Sequence, residues 1–251
     1  MRAPLAMGSA ETDDLHGVAA GDHRRTVPLM DLPVIVLDVN ETISDLSALA
    51  PAFEAEGVPS SLAQARFAAT LRDGFALMIT GDTRSFTDVA RAVLVGLLSQ
   101  TDTLHRRADD ATDAILTAFA ELPPHDDIAD GIAALASAGH RIVTLSNGSA
   151  SNAQALLERA GVAHSIERCI GVEDTSMWKP HPEAYLRGLE IIRIAPGDAV
   201  LTAVHPWDLH GARRAGLRTA YVDRNGTPWP GAFTPADFTV HTLVDLPALL
   251  A

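Results

Sequence analysis

The sequence predicts an α/β fold: a doubly wound, Rossmann-like core with a parallel sheet, interrupted by an α-helical insertion. Three observations predict it. The apolar, β-branched run PVIVLD (33–38) opens the regular part of the chain and ends on an aspartate, as a strand buried on both faces does. From 46 to 122 there is no further strand signal, only alanine-rich amphipathic stretches. After LPPHDD (122–127), strand and helix patterns alternate almost to the C-terminus, which implies a parallel sheet covered on both faces.

Taken in order, residues 1–30 have mixed polarity and no clear period, and read as a poorly ordered extension. Met30 stands directly before the first strand signal and leaves room for a later translation start. The insertion is expected over 46–122, with helices at 46–56, 60–79, 84–99 and 107–121. Ser60, Thr83 or Ser85, and Thr103 are the candidate helix caps, because their hydroxyls can accept from the free amides of a first turn. Core is expected over 31–45 plus 123–251, with LPPHDD as the hinge between the two parts. There the pattern predicts a helix over 128–138, a strand over 141–145, a helix over 149–160 and a short strand near 166–170. A helix over 182–191, a strand over 199–204, a helix over 208–215, a strand over 218–222 and a last strand near 237–241 follow.

Composition limits the function classes. The formal net charge is −13, with 19 Lys+Arg against 32 Asp+Glu, so the surface repels nucleic acid and anionic membranes, and no basic cluster offsets this. No apolar run approaches the roughly 20 residues of a membrane helix, and the start lacks the hydrophobic stretch of a signal peptide. A cytoplasmic protein is therefore expected. The single cysteine, Cys169, lies in the apolar stretch SIERCIGV and is expected to be a buried, inert thiol. An anionic substrate would have to be held by a few local cations and amides.

Four polar positions fall at carboxyl ends of expected strands or in the loops beyond them: Asp38, Ser146-Asn147, Lys179 and Asp208. Ligands of open parallel sheets bind at that edge, beside the topological switch point. Alone, each has a plain alternative. Asp38 and Asp208 serve equally as helix caps, Ser146-Asn147-Gly148 as a turn, and Lys179 as a solvated loop lysine. Their convergence on one sheet edge favours a site.

The motifs carry a resemblance. VIVLDVNETISDL resembles the first motif of the haloacid dehalogenase superfamily, with a strand, an aspartate and a threonine four residues on. TLSNGS, WKPHPEAY and VHPWDLHGARRAG resemble the second, third and fourth motifs, in order and spacing, and the likeness covers about 31–245. The helical insertion lies where this superfamily inserts its cap. The resemblance implies that Asp38 is a covalent nucleophile. Two positions choose the branch. Phosphatases of the superfamily carry an acid–base aspartate where this chain has Asn40, and a Mg²⁺-binding aspartate where it has Val204. Both differences point away from phosphoryl transfer, which needs hard oxygen ligands for its metal.

The SNG turn, the KPHPEAY loop and the Trp207-Asp208 pair are most similar to the type II 2-haloacid dehalogenases. The reaction this implies is metal-independent conversion of a short 2-haloacid into a 2-hydroxy acid and halide through an ester on Asp38, with no organic cofactor. Lys179 would hold the nucleophile ionised, and Thr42 would support its turn. Ser146 would bind the substrate carboxylate, and Asn147 the leaving halide. Asp208 would orient or deprotonate water. Trp207 and Asn40 would line the substrate pocket. The family usually places an aromatic residue at Asn40, an asparagine at His205 and a serine at Ala203, so the water-handling half departs from the pattern. His205 either activates water or packs beside Pro206. The family's cap arginine has two candidates. Arg66 lies nearest its place and Arg72 about two turns on, and the plainer expectation for each is a solvent-facing helix position. Phe67 and Phe75 are expected in the helical core. The other histidines, His181 and His210 among them, show no metal-ligand pattern.

The expected partner is a small carboxylic acid, and the resemblance allows a homodimer. Three rivals stand beside this reading. They are the opening of another activated acid such as a small cyclic imino acid, a Mg²⁺-dependent phosphatase, and a silent relative that only binds.

Overall fold

The computed structural model describes residues 32–250, so the N-terminal extension and Met30 lie outside the described residues. The run VIVL forms β1 (Val34–Leu37), every residue of it buried. Its alternation feeds two cores. Ile35 and Leu37 join one apolar cluster, while Val34 and Val36 join another on the opposite face, as the two-residue period of a strand requires.

The chain then becomes helical. A 3-10 turn (Leu46–Leu49) leads into α1 (Ala50–Ala55), α2 (Leu62–Ile79), α3 (Phe86–Leu98) and α4 (Ala108–Ala120). These helices pack on a cluster of their own around Phe53, Phe67, Phe86, Leu94 and Ile115. Three residues from the later, alternating part of the chain, Val172, Trp178 and Trp207, pack into that cluster. Of the candidate caps, Ser85 holds: its hydroxyl accepts from Asp88 N–H at the start of α3. Ser60 and Thr103 do not. Ser61 precedes α2 without a side-chain cap bond, and α4 starts from Arg107. Thr103 instead donates to Gly57 O.

The alternating part follows as α5 (Ile128–Ser137), β2 (Ile142–Leu145), α6 (Ala150–Arg159), β3 (Arg168–Ile170) and a short α7 (Val172–Thr175). It continues through α8 (Pro182–Ile191), β4 (Ala199–Ala203), α9 (Pro206–Arg214), β5 (Arg218–Val222), β6 (Phe238–Val240) and α10 (Leu246–Leu250). The helix expected at 208 starts at Pro206, since proline suits a first helical position. The six strands are parallel in the order β3-β2-β1-β4-β5-β6. The order reverses across β1 and β4, whose paired residues include Leu37 and Thr202. Asp38 follows β1 at that crevice, its N–H bonded to Thr202 O. The outlying Cys169 is half-buried rather than buried, and burial raises its thiol pKa. Among the described residues no helix is long and apolar enough to cross a membrane.

Candidate active site

The polar side chains gather beyond the carboxyl ends of the strands. Asp38 follows β1, Ser146 and Asn147 follow β2, and His205 follows β4 after Val204. Lys179 comes from the loop before α8, and Asp208 from the first turn of α9. Neither aspartate caps a helix. His205 is the residue before α9, and both carboxylates turn inward instead.

Lys179 Nζ donates to Asp38 Oδ1 at 2.8 Å and to Asp208 Oδ2 at 2.6 Å. All three side chains are at most 5% exposed. Burial alone would raise the Asp38 carboxyl, but Lys179 and His205 outweigh it and hold Asp38 ionised, well below the usual carboxylate range. The same contest runs in Lys179: burial opposes its charge, and Asp208 and Asp38 together raise its pKa. Asp208 is raised, first by burial and also by the charge on Asp38, with Lys179 and Tyr185 pulling against them. Tyr185 O–H donates to Asp208 Oδ1 at 2.6 Å. The α9 backbone comes this close because residue 211 is glycine: a Cβ there would lie 2.7 Å from the Tyr185 hydroxyl.

Asp38 Oδ2 has its own donors. Thr42 Oγ1 donates to it at 2.7 Å while accepting from Val204 N–H, which ties the β1 turn to the end of β4. His205 Nδ1 lies 3.2 Å from the same oxygen. The other ring nitrogen, Nε2, lies 2.8 Å from Glu41 Oε2. Burial opposes a charge on this ring, but bonds to Asp38 and Glu41 prevail and its pKa is raised to about 9. Phe67 stacks on the ring and Trp207 packs beside it. His205 is therefore part of the cluster, more than a loop histidine beside Pro206.

The substrate-side expectations divide. Ser146 is buried and its Oγ accepts from Gly148 N–H. With Asn40, Gly148, Phe86 and Phe119 it lines a cavity of about 30 Å³. Asn147 is placed differently from the expected halide contact. Its amide donates to Lys179 O, and its carbonyl accepts from Lys179 N–H at 2.7 Å, so it fixes the lysine loop. Trp207 packs edge-on against Phe75 of α2, joining sheet edge to helical layer. Arg72 takes the plainer, solvent-facing position and drops out as a substrate-binding candidate. Its side chain is 73% exposed and bound to Asp73, because it lies off the buried stripe of α2. Arg66 lies on that stripe, with Ala63, Phe67, Thr70, Leu71 and Gly74, and so contradicts the solvent-facing expectation. It is fully buried, with its guanidinium carbon 4.8 Å above the Phe119 ring. Its three guanidinium nitrogens have no hydrogen-bond partner among the described residues, a costly state for a buried cation unless a ligand completes it. Burial lowers its pKa to about 10, with the Glu41 charge opposing.

Two members of the cluster are not singled out by the sequence. Tyr185 sits in the quoted third motif, one turn into α8, and a helix starting at Pro182 would have aimed it back at Asp208. Glu41 occupies a left-handed backbone position, φ 61°, where glycine is the easy residue. Its signal was a charged side chain in a tight turn directly after the strand. Glu41 and His205 also border a wide groove of about 1,320 Å³ on the side away from Asn40. Among the described residues, no group of three or more His, Cys, Asp or Glu is placed to hold a metal; His181 accepts from Glu183 N–H and His210 from Thr234 N–H.

Fold and site together define an α/β protein that presents a buried, cation-held carboxylate at the switch point of its sheet. Residues 32–216 match the family model of haloacid dehalogenase-like hydrolases, and the chain belongs to that family. It is 30% identical over 139 residues to (S)-2-haloacid dehalogenase 4A of Burkholderia cepacia, covering 55% of this chain and 60% of that protein. The (S)-2-haloacid dehalogenase of Xanthobacter autotrophicus is 27% identical over 245 residues, 87% of this chain and 95% of the relative. The structure of the L-2-haloacid dehalogenase from that organism superposes with a TM-score of 0.77 at 26% identity, covering 87% of this chain and 98% of the other. A further dehalogenase structure gives 0.81 at 25% identity, covering 89% and 99%.

Proposed function

We propose that this protein hydrolyses short 2-haloacids to 2-hydroxy acids, with Asp38 as the nucleophile that displaces halide. The observation that carries the reading is Asp38 itself, an ionised carboxylate kept from water and held by Lys179 at 2.8 Å. A positioned, desolvated carboxylate attacks a carbon bearing a good leaving group. The expected product of that attack is an ester between Asp38 and the substrate's second carbon. Relatives named (S)-2-haloacid dehalogenase, and a Xanthobacter autotrophicus structure with chloropropionic acid covalently bound, support the same chemistry.

The other residues then take roles. The helical segment 46–122 acts as a cap over the sheet edge, and Arg66 brings from it the buried cation that lacks a partner. Lys179 and His205 already hold the site's carboxylates, whereas the Arg66 guanidinium makes no hydrogen bond among the described residues. A haloacid's carboxylate is the anion that would complete it. Ser146 and Asn40, from the loops after β2 and β1, would flank the acid on the side of the cavity they share. Asp208, with its raised pKa, receives the proton of the hydrolytic water.

A magnesium ion does not fit this donor set. Val204 offers no side-chain oxygen, Asn40 no carboxylate, and Lys179 Nζ stands between the two aspartates. The reaction is accordingly read as metal-independent. The experiment is halide release from L- and D-2-chloropropionate in EDTA, comparing wild type with Asp38→Asn. Release by wild type alone is expected. Silence from folded wild type on both enantiomers overturns the reading and makes strained-ring acids the next substrates to try.

A further inference from the structure

His205 has a carboxylate on each ring nitrogen, Asp38 Oδ2 at 3.2 Å and Glu41 Oε2 at 2.8 Å. An ionised carboxylate only accepts hydrogen bonds. A neutral imidazole has one N–H and would leave one of these contacts without a proton, so the arrangement suits the doubly protonated ring. The groups that face it agree. Phe67 of α2 and Trp207 of α9 cover the ring without charge. Asp38 and Glu41 come from the β1 turn, Lys179 reaches only the far oxygen of Asp38, and Arg66 acts on Glu41 from α2. Glu41 also tolerates a left-handed backbone, which glycine would adopt without strain.

We propose that Glu41 holds His205 as a standing imidazolium on Asp38 Oδ2, and that this cation drives the second half-reaction, hydrolysis of the aspartyl ester. The inference rests on the dehalogenase reading. Oδ2 already has Thr42 and His205 as donors, whereas Oδ1 has Lys179 alone. Oδ1 therefore attacks the substrate, the carbon–halogen pair leaves as halide, and Oδ2 becomes the ester carbonyl. Water then adds to Cγ of Asp38 and gives one proton to Asp208. The Cγ–Oδ2 π pair moves onto Oδ2, where the imidazolium and the Thr42 hydroxyl stabilise it. As the pair returns, the Cγ–Oδ1 bond breaks. Oδ1 departs with the product and takes the proton from Asp208 as the hydroxyl of the 2-hydroxy acid. Asp38 recovers a carboxylate containing the water oxygen, and the second water proton goes to solvent. His205 is thus a catalytic residue, and Glu41 a positioning residue that acts through it.

The test is the alkyl-enzyme, followed by intact mass after mixing with 2-bromopropionate. Wild type, His205→Gln and Glu41→Gln are quenched over time across pH, with circular dichroism as the check on folding. In His205→Gln the adduct is expected to form and then decay about 10²-fold more slowly, the usual loss of one oxyanion donor. In Glu41→Gln decay slows about tenfold, on the scale of one charged contact, and its alkaline fall moves to lower pH because the imidazolium has lost an anion. A purely structural role would not move that limb. Adduct decay at the wild-type rate in His205→Gln, or an unmoved limb in folded Glu41→Gln, overturns the proposal while leaving the dehalogenase reading intact. No adduct and no halide from any form overturns both.

Discussion

The buried charges around Asp38 stabilise one another only as a set, and His205 shows the consequence for stability. Its pKa rises from 6.5 to about 9 on folding. A raised value means the imidazolium favours the folded state. That contribution is fully present below pH 6.5 and disappears as pH climbs through about 9. It is worth about 3 kcal/mol for a shift of this size. Urea denaturation of wild type should therefore lose stability between those values, and His205→Gln should lose markedly less. Parallel curves for the two proteins would refute the linkage. Asp38, Lys179, Asp208 and Thr42 could be placed by motif, because strand ends fix where such residues go. Arg66 and Glu41 could not, because the first depends on which way a helix turns and the second on a side chain reaching across to another loop.

At the scale of elements, the sheet and helices were legible because burial imposes a period on the sequence. β1 reads as a two-sided strand, and α2 to α4 as amphipathic stretches, with ends displaced by only a residue or two. The burial of Arg66, a named candidate, escaped that pattern, since a stripe counted by hydrophobicity skips an arginine. What no period reveals is how helices dock on the sheet edge. Trp178 is 1% exposed, donates to Arg84 O, and lies against Gly74 of α2. A Cβ at Gly74 would fall 2.4 Å from its ring. Gly74→Ala should cost about 1–3 kcal/mol, the range for overpacking a tight core. It should also raise KM more than it lowers kcat, because α2 carries Arg66. A thermal melt and steady-state kinetics check both. An unshifted melting temperature would show that the tryptophan moves aside freely.

Over the whole molecule, charge and site pull in opposite directions. The net charge of −13 would repel the proposed anionic substrate at long range, while Arg66 would attract it only after water is excluded. Salt screens the first effect far more than the second, since the screening length falls to about 10 Å near 0.1 M. Raising ionic strength from about 10 mM to about 150 mM should increase kcat/KM for a haloacid, by roughly two- to threefold, with kcat unchanged. A fall instead would mean that the approach to the site is locally positive. The sheet order offers a reason for the arrangement. With β1 at the centre and β4 beside it, Asp38 and the loop bearing His205 rise from adjacent strands, so the two halves of the proposed chemistry would share one rigid base.

The left-handed turn at Glu41 has a consequence for how this protein would change under selection. Glycine at that position would relieve roughly 1 kcal/mol of backbone strain, yet it would strip His205 of its second anion and remove part of the folding free energy tied to that charge. Below pH 6.5 the lost ion pair weighs against the relieved strain; above about 9, where the ring has lost its proton, only the relief remains. Position 41 is therefore open to glycine in an alkaline setting and held as glutamate in a neutral one.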